Sequence, residues 1–152
     1  MFDMNRVREY FNTPVEELIQ KADAVCRENL GNLVWLRGLI EFSNYCSMDC
    51  NYCGIRHSNC NVHRYRIEEE GIIDIVLKGW QAGLSTFVLQ SGEDSYYTIP
   101  KLCSMISSIK DKTEGKAAVT LSCGIRSRQQ FSELKKAGCD RYLMRFETAD
   151  ES

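Results

Sequence analysis

Apolar positions along the chain switch between a helical period and short continuous runs. Val15, Leu18, Ile19, Ala22, Val25 and Cys26 recur at helical spacing, and Gly31 after Leu30 marks a stop. Thr13-Pro14-Val15-Glu16 supplies the start, with Thr13 as N-cap, Pro14 in the first helical position and Glu16 closing a capping box. Beyond this helix the chain alternates. Leu39-Ile40-Glu41-Phe42 predicts a first strand. Glu68 to Ala82 predicts a helix with Ile72, Ile73, Val76, Leu77 and Trp80 on its apolar side, although Gly71 and Gly79 weaken it. Thr86 to Gln90 reads as a second strand, Pro100 to Lys110 as a helix, Ala117 to Leu121 as a third strand. Ser127 to Ala137 is a further helix stopped by Gly138, and Arg141 to Phe146 a fourth strand. Cys26, Cys103 and Cys139 lie in or just after helical patterns and read as small core residues.

Strand–helix alternation with short connections predicts an α/β fold of parallel strands joined by right-handed crossovers, in order 1-2-3-4 with the helices on one face. The polar residues then fall at one place. The segment after Phe42, Ser91-Gly92-Glu93-Asp94, Ser122-Cys123-Gly124 and Glu147-Thr148 all follow the carboxyl ends of successive strands. In barrels and open α/β sheets that edge binds ligands.

Composition narrows the class. With 152 residues, 43% apolar and 26% charged, the chain has the make-up of one globular domain with a real core. A net charge of −2 gives no electrostatic case for nucleic acid or an anionic membrane. Residues 1–8 carry no long apolar run, so neither a signal peptide nor a membrane span is expected. Eight cysteines in such a chain point to a reducing cytosol and a cytoplasmic location.

Chemistry concentrates in Cys46-Ser47-Met48-Asp49-Cys50-Asn51-Tyr52-Cys53, directly after the first strand. Three thiols at this spacing can hold three corners of one iron–sulfur cube and leave the fourth iron without a protein ligand. A structural zinc site is the rival reading; it needs four ligands, and His57 or Cys60 would supply the fourth. A disulfide framework fits less well, because nothing marks the chain for export. His57 and His63, among Arg56, Arg64 and Arg66, read as a solvated charged loop.

The triplet resembles the signature of radical S-adenosylmethionine (SAM) enzymes, with Tyr52 as the aromatic residue before the last cysteine. From Leu33 through Asp150 the chain resembles, more narrowly, the HydE family of FeFe-hydrogenase maturases. The similarity lies in Arg37 through Cys46, Cys50 through Arg56, Arg64-Tyr65-Arg66, Val88 through Asp94 and Arg141 through Ala149. It implies a 4Fe–4S cluster on Cys46, Cys50 and Cys53, whose open iron chelates SAM and whose electron cleaves it to a 5′-deoxyadenosyl radical. It also implies a small-molecule substrate, an electron donor such as ferredoxin or flavodoxin, and other hydrogenase maturases as partners.

The same resemblance implies roles for the other strand ends. Ser91, Gly92 and Glu93 stand where the superfamily holds the SAM amino group; Gly permits backbone approach and a carboxylate suits an ammonium. The bland alternative is a loop that simply turns the chain. Arg145 and Glu147 resemble the fourth-strand pair that faces SAM, two residues apart on one strand face. Arg141 shares that parity and reads as a surface charge. Tyr52 resembles the residue flanking adenine, while Gln90 and Thr120 read as cavity-lining or as satisfied polar residues of a barrel interior. No residue is assigned to the bond-breaking step itself.

Two departures touch the substrate side: Ile125 stands where HydE proteins commonly have Glu, and Cys123 where they have an aliphatic residue. Members of the family run to roughly twice this length and close eight strand–helix units into a barrel. Four are legible here. The expected organisation is therefore an N-terminal helical extension over 1–32 and, over 33–152, the N-terminal half of a radical SAM barrel. Such a half-barrel would leave strand edges open and inward side chains such as Val88, Val119 and Leu143 partly uncovered. Methylornithine synthase and biotin synthase type reactions, or a truncated cluster-binding product without turnover, are the alternatives.

Overall fold

The computed structural model describes residues 3–145. Two compact units divide the chain after Trp35. The first holds α1 (Met4–Asn12) and α2 (Val15–Leu30). The pattern did not predict α1, which Asp3 caps by accepting from Asn5 N–H at 2.9 Å. Its presence undoes the expected capping box. Thr13 is the C-cap of α1, its hydroxyl donating to Glu9 O at 2.8 Å. Pro14, with no side-chain acceptor, is left as the N-cap of α2. Gly31 does end α2, at φ +64°. None of the residues of α2 is buried: Val15, Ile19 and Val25 are exposed, and so is Cys26, which is no core residue.

The second unit contains β1 (Gly38–Ser43), α3 (Glu69–Gln81), β2 (Thr86–Ser91), α4 (Ile99–Lys112), β3 (Ala118–Ser122), α5 (Arg128–Lys136) and β4 (Arg141–Tyr142). The strands form one parallel sheet in the order β1-β2-β3-β4, as the alternation predicts. Among the described residues β4 is shorter than expected. Just beyond it Leu143 N–H donates to Leu121 O at 2.8 Å. Phe146, the expected end of the strand, lies outside the described residues.

One face of the sheet is the core. Ile40, Phe42, Phe87, Leu89, Val119 and Leu121 are buried together with Ile72 and Val76 of α3, Leu102, Met105, Ile106 and Ile109 of α4, and Leu134 of α5. Burial of each such side chain stabilises by about 1.5–3 kcal/mol. The register places Leu39, Val88 and Thr120 side by side on the opposite face, and Glu41, Gln90 and Ser122 beyond them. Val119 is thus not an uncovered inward residue: alternation turns it to the helices, and Thr120 takes the other face. Val88 is half-buried, and Leu39 and Leu143 are exposed. Among the described residues, no helix is long and apolar enough to cross a membrane.

Candidate functional site

The carboxyl edge is organised by an irregularity in β1. Glu41 pairs with Gln90 but Ser43 with Ser91, so Phe42 is an extra residue and the strand bulges. The bulge buries Phe42 and Ser43 together and brings the Ser43 hydroxyl to Asp94 Oδ2 at 2.7 Å. Arg66, bridged antiparallel to Ser43, grips the same carboxylate with Nε and Nη2 at 2.7 and 2.9 Å, and Tyr96 N–H adds a bond at 3.0 Å. The guanidinium also lies 3.8 Å from the centre of the Tyr45 ring. Burial would push the Asp94 carboxyl up; the bonds from Arg66, Ser43 and Tyr96 outweigh it and hold the group below the usual carboxylate range. Asp94 thereby ties the loop after β2 to the segment that carries the cysteines.

In that segment Cys46 is half-buried, and its sulfur accepts from Met48 N–H and Glu93 N–H, both at 3.4 Å. The loops meet closely. A Cβ on Gly92 would fall 2.4 Å from Tyr45 O and 2.7 Å from Cys46 Cβ, so only glycine permits this approach. Cys50 and Cys53 close a turn through Cys53 N–H to Cys50 O at 2.9 Å, and both are partly exposed. Tyr52, between them, is exposed at the rim.

Glu93 reaches a third strand end. Its Oε1 accepts from Ile125 N–H at 3.2 Å, and its side chain lies against Gly124, where a Cβ would come within 2.2 Å of Glu93 Cγ. Gly124 sits at φ +86°, which L side chains rarely adopt. Glu93 therefore bridges the ends of β1 and β3. Gln90 donates to Glu41 Oε1 at 3.2 Å on the open face, Thr120 is buried beside Val88, and the Ser91 hydroxyl donates to Gly92 O at 2.8 Å. Arg145 is exposed and follows β4 rather than standing on it. Glu147 lies outside the described residues, so its pairing with Arg145 does too.

The donor set fits an iron–sulfur cluster. All three cysteines of the triplet are free thiols, soft ligands of the right kind, and two backbone N–H groups aimed at Cys46 would stabilise charge on its sulfur. Among the described residues no three His, Cys, Asp or Glu side chains converge to hold one metal ion. A cube does not ask for that convergence, because each thiolate binds its own iron.

The structure corrects one reading and adds residues. Arg64 and Arg66 are not a solvated charge run: Arg66 pairs with Asp94, and Arg64 donates to main-chain carbonyls on both sides of the triplet, Asn44 O before it and Ile55 O and Arg56 O after it. Ser43, Asp94 and Gly124 also belong to the site. The Ser-Gly-Glu-Asp run and the turn glycine after β3 were visible signals for the last two. Ser43 had none, because the bulge that aims it is not encoded in the period.

Comparison with known proteins supplies the family and agrees with the fold. A sequence model described as the radical SAM superfamily matches residues 40–152. The chain is 43% identical to the FeFe-hydrogenase maturase subunit HydE of Thermotoga maritima over 89% of its own length and 38% of that protein. It is 32% identical to biotin synthase of Magnetococcus marinus, covering 88% of this chain and 42% of the relative. A crystal structure of methylornithine synthase superposes with a TM-score of 0.80 at 24% identity, over 91% of this chain and 42% of that one, a likeness of fold. The chain thus spans about two fifths of the length of these relatives.

Proposed function

This chain belongs to the radical SAM superfamily, and from that membership we propose that it carries the cluster- and SAM-binding residues of a HydE-like enzyme that reductively cleaves SAM while the FeFe-hydrogenase active site is assembled. Enzymes of this superfamily use a 4Fe–4S cluster and SAM. When bound, the cluster supplies an open iron and the electron for cleavage. The protein's own residues bind and orient. Cys46, Cys50 and Cys53 hold the cluster, and the backbone donors at Cys46 hold charge on one of its sulfur ligands.

One observation carries this reading: Glu93 is in contact with both Cys46, through its N–H, and the Gly124-Ile125 turn, through Oε1. A carboxylate held at the Gly124-Ile125 turn, on a residue whose backbone N–H touches Cys46, supports a role for Glu93 in accepting from the SAM ammonium. Gly92 admits the close approach, and Ser91 braces the turn. Arg145 and Glu147 are assigned to the SAM carboxylate and to its ammonium or ribose, Tyr52 to adenine, and Gln90 and Thr120 to the cavity wall.

The preference for a HydE-like role over biotin synthesis rests on identity, 43% against 32%. We read residues 33–152 as the first half of a barrel, with 1–32 as an extension. A small-molecule substrate, a ferredoxin- or flavodoxin-like electron donor and other hydrogenase maturases are the proposed partners, in the cytoplasm. The test is SAM affinity of the reconstituted protein by equilibrium dialysis. Glu93→Gln and Arg145→Ala should each weaken it by about 1.5–3 kcal/mol while the cluster absorbance persists. Unchanged affinity in both variants would remove this pocket.

A further inference from the structure

Arg64 has an unusual set of partners. All four of its hydrogen-bond acceptors are main-chain carbonyls: Nη1 donates to Asn44 O and to Ile55 O at 2.9 Å, Nη2 to Arg56 O at 2.8 Å and Asn59 O at 3.2 Å. Asn44 precedes the cysteine triplet, and Ile55, Arg56 and Asn59 follow it. One half-buried guanidinium therefore closes the loop across its neck. The Asn44 side chain fastens the clamp, accepting from Tyr65 N–H at 2.7 Å and donating to His63 O at 2.8 Å on either side of Arg64.

We propose that Arg64 is a positioning residue that orders the cysteine loop before any cluster arrives, so that Cys46, Cys50 and Cys53 are presented as a set. The ligand identity in this statement rests on the function proposed above; the ordering does not. The physical case is entropic and geometric. Cys50 and Cys53 sit in turns between Cys46 and Asn59, tied by Cys53 N–H to Cys50 O, Arg56 N–H to Cys53 O, His57 N–H to Met48 O and Asn59 N–H to Arg56 O. Such turns are weak alone, since each residue fixed costs backbone entropy. A planar fork with five donors can satisfy several carbonyls at once in a fixed arrangement, which a lysine ammonium cannot.

The experiment is amide hydrogen exchange on the metal-free chain, with wild type, Arg64→Gln and Arg64→Lys, followed by anaerobic reconstitution of each. Wild type should protect the amides of Cys53, Arg56, His57 and Asn59. Arg64→Gln should lose that protection by about tenfold or more, while Leu102 and Ile106 in α4 exchange as in wild type. Cluster absorbance should then develop at least severalfold more slowly, and Arg64→Lys should not rescue either readout. Should Arg64→Gln lose α4 protection as well, Arg64→Lys carries the test: loop protection equal to wild type in that variant overturns the clamp. Equal loop protection in Arg64→Gln overturns it too. A wild-type loop that is ordered, is released by Arg64→Gln and yet takes up no cluster supports the clamp and sinks the assignment of the three cysteines.

Discussion

Replacing Asp94 with Asn tests how the two halves of the site are held together. The carboxylate is 2% exposed and accepts four bonds, from Ser43, twice from Arg66 and from Tyr96 N–H. Breaking a fully buried pair costs about 3–5 kcal/mol. Arg66, however, is 33% exposed and can take up water when its partner is neutralised. Asn also keeps the volume and can still accept from Tyr96. The expected loss is therefore about 2–3 kcal/mol, or roughly 5–10 °C in Tm for a chain of this size. The loss should depend on pH in a stated direction. The folded carboxyl of Asp94 is depressed, so its contribution is full above the unfolded value near 3.9 and is lost as pH falls through the folded one. Asp140, depressed despite burial by its bonds from Lys110 and Val119 N–H, titrates in both proteins and cancels in the difference. Urea unfolding of wild type and Asp94→Asn at pH 6 and at descending pH is the assay. A gap under about 0.5 kcal/mol at pH 6, or one that fails to close below pH 4 or so, would refute the reasoning.

Gly124→Ala should mimic Glu93→Gln: its Cβ would meet Glu93 Cγ at 2.2 Å in a backbone conformation that already disfavours it, and SAM affinity by dialysis should fall about tenfold or more. Wild-type affinity in that variant would show that Glu93 is not positioned by the turn. The Cys103 and Cys139 thiols are both pushed up by burial, so iodoacetamide at neutral pH should label them more slowly than exposed Cys26 and Cys60 in the metal-free chain. Mass spectrometry that found equal rates would contradict the packing described here.

The framework was legible in the sequence because local signals and tertiary packing agree. Continuous apolar runs gave β1, β2 and β3, and the helix expected from Ser127 forms as α5, where the structure adds a capping box between Ser127 and Gln130. Gly79 looked like a flaw in α3, yet a Cβ there would stand 2.7 Å from the Phe87 ring, so the glycine makes room for the core. Failures came where a partner distant in sequence decides. Thr13 was lost to a preceding helix that the apolar period did not reveal. Arg66 resembled solvated charge because Asp94 lies 28 residues away, and Arg64 because its acceptors are backbone groups that no residue pattern displays. Cys46, Cys50 and Cys53 could be singled out as candidate ligands from their spacing, with zinc as the rival, whereas Glu93 could be singled out only through the family resemblance.

Anaerobic reconstitution of the chain with iron and sulfide, with each of the eight cysteines in turn replaced by Ala, addresses the central claim. Wild type should bind about one 4Fe–4S unit with its visible absorbance. Replacement of Cys46, Cys50 or Cys53 should abolish it, and replacement of Cys26, Cys60, Cys103, Cys123 or Cys139 should leave it in place. A tightly held zinc ion, or a cluster that depends equally on Cys60, would contradict the account.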